Sequence, residues 1–106
     1  MTTLLVSVAA NARDKFEKDG VTYEVTISAI INNVILTDGK SVVPLNGEFT
    51  IPNEVEHNGV WYTVTDIESV AFFGNTSLRS VTIPASVERI GIRIFGGCTN
   101  LTEIKV

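Results

Sequence analysis

Residues 64–86 read VTDIESVAFFGNTSLRSVTIPAS and residues 87–106 read VERIGIRIFGGCTNLTEIKV, and a shift of 23 lays the second stretch on the first. Val64 falls on Val87, Ile67 on Ile90, Phe72 on Phe95, Gly74 on Gly97, Leu78 on Leu101, Val81 on Ile104 and Ile83 on Val106. Apolar and glycine matches that recur at one offset mark stacked structural units, each too small to bury its own apolar face and completed by the next. Within the first unit Val81 and Ile83 alternate with Ser80 and Thr82, the period of a short strand with one face inward. By the same alternation Ile104 and Val106 point inward in the second unit, and Glu103 and Lys105 outward.

Upstream of the repeat the pattern changes to alternating segments broken by turn dipeptides. Asp19-Gly20 separates Phe16–Lys18 from Val21–Ile27, Asp38-Gly39 separates Asn33–Thr37 from Lys40–Val43, and Asn58-Gly59 separates Glu54–His57 from Val60–Thr65. Both central residues of a type I′ turn need positive φ, which Asn, Asp and Gly tolerate, so each dipeptide predicts a hairpin and the three together an antiparallel meander. Gly20–Thr26 and Gly59–Thr65 agree at Gly, Val, Tyr, Val and Thr, which puts Val21, Tyr23, Val25 and Val60, Tyr62, Val64 on core faces. Trp61 then lies on the polar face, with cover by the N-terminal strands expected.

The composition agrees. Val, Ile and Thr supply 37 of the 106 residues against 13 for Ala, Leu and Met, which disfavours a helical bundle. A single Cys permits no internal disulfide, and one Cys with one His leaves too few soft ligands for a zinc cluster. The net charge of -4 argues against a nucleic-acid footprint, and no apolar run reaches the length of a membrane span. The acidic excess belongs to residues 1–63, with eight Asp or Glu against four Lys or Arg; residues 64–106 hold four of each. Such a face is either solvated or suited to a cation-rich protein partner.

Leu4 to Ala12 looks like the end of a secretory signal, with Ala10-Asn11-Ala12 fitting the A-x-A cleavage pattern; an ordinary strand or arm is the other reading. Chemistry is sparse. Cys98 with His57 as its base is less expected than a buried structural thiol and an exposed turn histidine. Asp66 and Glu68 are the nearest carboxylate pair, and same-face charges on a strand are expected to be solvated rather than catalytic.

Ile67, Phe72, Leu78, Val81, Ile83-Pro84, Val87, Ile90-Gly91, Phe95, Gly97-Cys98, Leu101 and Ile104 fall in a pattern that resembles the BspA-like leucine-rich repeats of bacterial surface proteins, L..I.IP..V..IG..AF.GC..L. The resemblance covers residues 64–106, reaches back to Gly47–Val55, and includes Gly59–Ile67, which is similar to the family's G..Y.VT.I entry. Departures are Ile94 for Ala, Glu68 for Gly and Asn75 for Cys; the bulk of Ile94 at an inward position suggests fewer neighbours around the second repeat. Asn75 and Cys98 share the turn position at which leucine-rich repeats satisfy backbone groups between coils. The resemblance implies export to the cell surface or periplasm and binding to extracellular-matrix or bacterial surface proteins.

The expected fold is mainly β: an antiparallel hairpin cap over residues 13–63 leading into a short leucine-rich-repeat solenoid of two 23-residue repeats over 64–106, with 1–12 an export-signal remnant or N-terminal arm. Candidate protein-binding residues are Ser80, Thr82, Glu103 and Lys105 on outward strand positions, Arg79, Arg89 and Arg93 nearby, and Trp61. The expected function is non-enzymatic protein binding, including adhesion; the alternative is a structural capping fragment of a larger adhesin with no ligand of its own. No catalytic residue, metal, cofactor or nucleic-acid partner is expected. A bare last strand at Ile104–Val106 predicts cover by a second chain or the N-terminal arm, and hence self-association through the open coil.

Overall fold

The computed structural model describes residues 14–26 and 31–106. The stretch 1–12, read as an export remnant or arm, lies outside the described residues.

Two of the three turn dipeptides make the predicted hairpins. Strands β1 (Lys15–Lys18) and β2 (Val21–Val25) pair antiparallel across Asp19 and Gly20, whose φ values are 52° and 85°. Strands β5 (Glu54–His57) and β6 (Val60–Ile67) do the same across Asn58 and Gly59, at 54° and 82°. These are the left-handed conformations a type I′ turn demands. Inward positions follow the alternation, with Val21, Tyr23, Tyr62 and Val64 buried and Val25 and Val60 half-buried.

The Asp38-Gly39 hairpin does not form. Strand β3 (Asn33–Asp38) ends there, but residues 40–43 are not a strand; the chain runs on through a single 3-10 turn at Leu45–Gly47 into the short strand β4 (Glu48–Thr50). Gly39 is glycine for a different reason: a Cβ there would collide with the ring of Phe72. Its N–H donates to the Ala71 carbonyl at 2.8 Å, so the backbone is pressed onto the repeat instead of turning back on β3.

The antiparallel meander expected for residues 13–63 is corrected in the same place. β3 pairs antiparallel with β2 but parallel with β6, and β4 pairs parallel with β7 (Ser80–Thr82). β6 in turn pairs parallel with β8 (Arg89–Ile90), and β7 with β9 (Glu103–Lys105). One sheet therefore runs β1-β2-β3-β6-β5 with β8 also on β6, and the second runs β4-β7-β9. The chain makes three passes between these sheets, β3 to β4, β6 to β7 and β8 to β9. The 23-residue shift describes the second and third. The first is signalled only at its end, where Phe49-Thr50-Ile51-Pro52 echoes Val81-Thr82-Ile83-Pro84. β6 runs through the expected boundary at 63/64 because one strand serves both the hairpin and the repeat.

The core is continuous across the passes. Leu36, Ile51, Ile67, Phe72, Leu78 and Val81 are all at most 2% exposed, and Phe72 packs between Phe49, tilted at 5.9 Å, and Phe95, stacked at 5.6 Å. Burial then fades along each row. Ile67 is covered but its partner Ile90 is 48% exposed; Val81 is covered but Ile104 is 49% and Val106 97% exposed.

Candidate functional site

Parallel pairing lines up the outward side chains of β4, β7 and β9 into rows. Glu48, Ser80 and Glu103 form one row and Thr50, Thr82 and Lys105 the next. Arg79 precedes β7 between passes: its N–H donates to the Gly47 carbonyl at 2.8 Å, and its own carbonyl accepts from the Thr102 N–H at 2.9 Å and the Thr102 hydroxyl at 3.3 Å. Ser80, Thr82, Glu103 and Lys105 come together on one sheet face, and Arg79 lies beside it, joined to the first and third passes through its backbone. Glu48 and Thr50 join them and were missed by sequence reasoning. The Ile-Pro pair that follows β4, as it follows β7, was the available signal.

Arg89 and Arg93 do not join this face. Arg89 lies on β8 in the other sheet, where its Nε and Nη2 donate to Asp66 Oδ2 and Oδ1 at 2.7 and 3.1 Å. This bidentate bond raises the Arg89 pKa and ties the third pass to the second. The Thr65 hydroxyl donates to the same carboxylate at 2.7 Å, so Asp66 is a structural anion, held by a cation and a hydroxyl. Arg93 sits in a turn at φ 55°, its carbonyl accepting from Gly96 at 3.1 Å.

Trp61 is on the polar face, as the alternation required, but the N-terminal strands leave it 61% exposed. It stands at the rim of a cavity of about 310 Å³ where the β1–β2 hairpin, β4 and the β5–β6 hairpin meet. Opposite it on β5, Glu56 accepts from the Gly59 N–H at 2.6 Å and from Lys18 Nζ at 3.5 Å. The Gly59 bond foremost, then Lys18, holds this carboxyl below the usual carboxylate range.

The thiol and the histidine belong to separate structural tasks. Cys98 is buried, donates through Sγ to the Phe72 carbonyl at 3.1 Å, and has its pKa pushed up by burial, the opposite of a nucleophile's environment. Asn75, at the same repeat position, donates from Nδ2 to the carbonyls of Gly39 and Val42. His57 is half-buried rather than exposed, stacked on Phe16 at 4.1 Å with the rings 3° from parallel. Among the described residues no group of three or more His, Cys, Asp or Glu is placed to hold a metal ion, and no helix is long and apolar enough to cross a membrane.

Comparison with known proteins adds three findings. The family model for the BspA type leucine rich repeat region (6 copies) matches residues 48–106, from the first residue of β4 onward. A leucine-rich repeat protein from Bacteroides capillosus ATCC 29799 is 29% identical with a TM-score of 0.73, over 86% of this chain and 64% of that one. A leucine-rich repeat protein from Bacteroides ovatus ATCC 8483 is also 29% identical, with a TM-score of 0.66 over 86% of this chain and 23% of that one. The T. pallidum leucine rich repeat protein is 25% identical, with a TM-score of 0.64 over 88% and 39%. The chain therefore spans less than two thirds of each of these structures. No curated protein matches it.

Proposed function

From a chain that belongs to the BspA-type leucine-rich repeat family, we propose a non-enzymatic protein-binding module of the bacterial cell envelope or surface. The observation that carries this reading is the β4-β7-β9 face. Parallel strands in exact register present two straight rows of small and charged side chains, Glu48-Ser80-Glu103 and Thr50-Thr82-Lys105. Solenoids bind along such faces because the repeat spaces identical positions evenly, so a partner meets a regular surface. Family membership supports export to the surface or periplasm, with extracellular-matrix or bacterial surface proteins as the proposed ligands.

The test is capture of extracellular-matrix proteins and of neighbouring bacteria by the 106-residue chain. Lys105→Glu and Thr82→Arg reverse or block the second row at solvent-facing positions and are expected to abolish capture while leaving thermal unfolding unchanged. Capture that neither substitution alters removes the face assignment.

A second reading has its own support, since the chain covers 64%, 23% and 39% of the three structures it matches. It makes these residues a structural element of a longer leucine-rich repeat adhesin, with no ligand of their own. Capture by a longer form containing further repeats, and none by the 106-residue chain, selects it.

A further inference from the structure

We propose that the cavity beneath Trp61 receives the cationic side chain, arginine or lysine, of a protein partner; the inference rests on the protein-binding reading and adds the chemistry of one contact. Three segments distant in sequence converge on this cavity, and its volume of about 310 Å³ is at the lower end for small-ligand sites, room for one side chain.

Its walls are aromatic. Tyr23, Phe49 and Trp61 come from β2, β4 and β6 and all face it. Tyr23 is only 2% exposed; burial foremost and the Asp19 carboxylate beside it push its ionisation up to about 12, with no hydrogen-bonding group contributing. Trp61 leaves most of its indole in water. The negative face of an aromatic ring attracts a cation, indole most strongly, and guanidinium groups are the commonest partners.

Its charge is negative. Asp19, Glu54 and Glu56 line it, with Lys18 the one basic residue among the lining groups. The Lys18 ammonium is already engaged, at 3.0 Å from the Glu56 carbonyl and 3.5 Å from its carboxylate. Among the described residues no cation pairs with Asp19 or Glu54. A neutral occupant would strip water from two carboxylates without replacing it, whereas a guanidinium or ammonium neutralises them and meets the exposed Trp61 indole at once. The acidic excess of residues 1–63 adds a long-range attraction of the same sign. A sugar also stacks on indole, and it is the competing class of ligand.

Trp61 is the only tryptophan, so its emission reports on this cavity alone. The 106-residue chain is titrated with a capped glycine peptide carrying one central arginine, with the same peptide carrying neutral citrulline, and with neutral hexasaccharides. A saturable emission change with the arginine peptide is expected, weakened about tenfold by citrulline and about tenfold by the double variant Asp19→Asn/Glu54→Gln. Both positions are exposed, and Asn keeps the left-handed turn at residue 19. Equal binding of the two peptides, a response to the saccharides alone, or no saturable response would overturn the inference. A protein captured by the β4-β7-β9 face with affinity untouched by the double variant overturns the cavity assignment and leaves the wider reading standing. Arginine-peptide binding by a chain that captures no protein supports the cavity and removes the wider reading instead.

Discussion

Asn75 donates from its side-chain amide to the Gly39 carbonyl at 2.9 Å, across 36 residues of sequence, and to Val42 at the same distance. Its Oδ1 meanwhile accepts from the Ser77 N–H at 2.9 Å. One buried amide therefore holds the loop after β3 against the second pass, as the Cys98 thiol holds the third pass to the Phe72 carbonyl. Asn75→Ala takes the partner from the buried Val42 carbonyl and from the Ser77 N–H, and leaves the Gly39 carbonyl only the Val42 N–H at 3.3 Å. The expected cost is about 2–4 kcal/mol, read as a lower denaturant midpoint at unchanged slope.

Gly39→Ala tests the other half of the same contact. The added methyl meets the Phe72 ring, and overpacking of this kind costs about 1–3 kcal/mol. Because the clash is with one ring, Gly39→Ala combined with Phe72→Leu is expected to cost less than the sum of the two single changes. A strictly additive cycle, measured by urea unfolding, would show that the methyl is accommodated elsewhere.

Val70 and Arg93, 23 residues apart, hold left-handed φ values of 56° and 55°. A β-branched residue is strained there, and at 39% exposure the Val70 side chain contributes little packing in return. Val70→Gly is expected to raise stability by about 1 kcal/mol and the thermal midpoint by roughly 4–8 °C. A lower midpoint would mean that the contacts of Val70 outweigh the strain of its backbone.

Tyr23 ionises near 12 when folded, against 10.0 for the free side chain, because burial and Asp19 oppose the phenolate. The unfolded chain releases this proton first as pH rises. The stabilisation is thus complete below pH 10 and is lost as pH climbs through about 12. Tyr23→Phe is expected to flatten the fall in unfolding free energy between pH 10 and pH 12, measured by urea titration at each pH. An unchanged slope would assign the loss to other groups.

Ile90, Ile92, Ile104 and Val106 leave an apolar end on the third pass, at 48%, 72%, 49% and 97% exposure. Sedimentation of the 106-residue chain is expected to give a concentration-dependent dimer, and Ile104→Glu a monomer of unchanged fold. A chain that stays monomeric at all concentrations removes self-association as the cover for this end.

Much of the fold was legible because alternation and turn chemistry are local. Asp19-Gly20 and Asn58-Gly59 need nothing beyond their neighbours to adopt positive φ, so those hairpins read directly. The Asp38-Gly39 signal misled because its glycine answers to Phe72, 33 positions away, and no local pattern encodes that approach. The candidate face was half legible for the same reason. Ser80, Thr82, Glu103 and Lys105 follow from period-two alternation, whereas Arg89 looked available until β8 placed it on Asp66.

By itself, then, the sequence determined the strand-rich class, two hairpins, the 23-residue period and the inward row of the first repeat, since all of these are set by residue type and spacing along the chain. Only the tertiary structure decided that β3 and β4 stack parallel on the repeat as a first pass, that Arg89 is bound in an ion pair, and that Tyr23, Phe49 and Trp61 line one acidic cavity. Parallel partners and cavity walls join residues tens of positions apart. Which of them meet depends on how the passes pack, and this leaves no periodic trace in the chain.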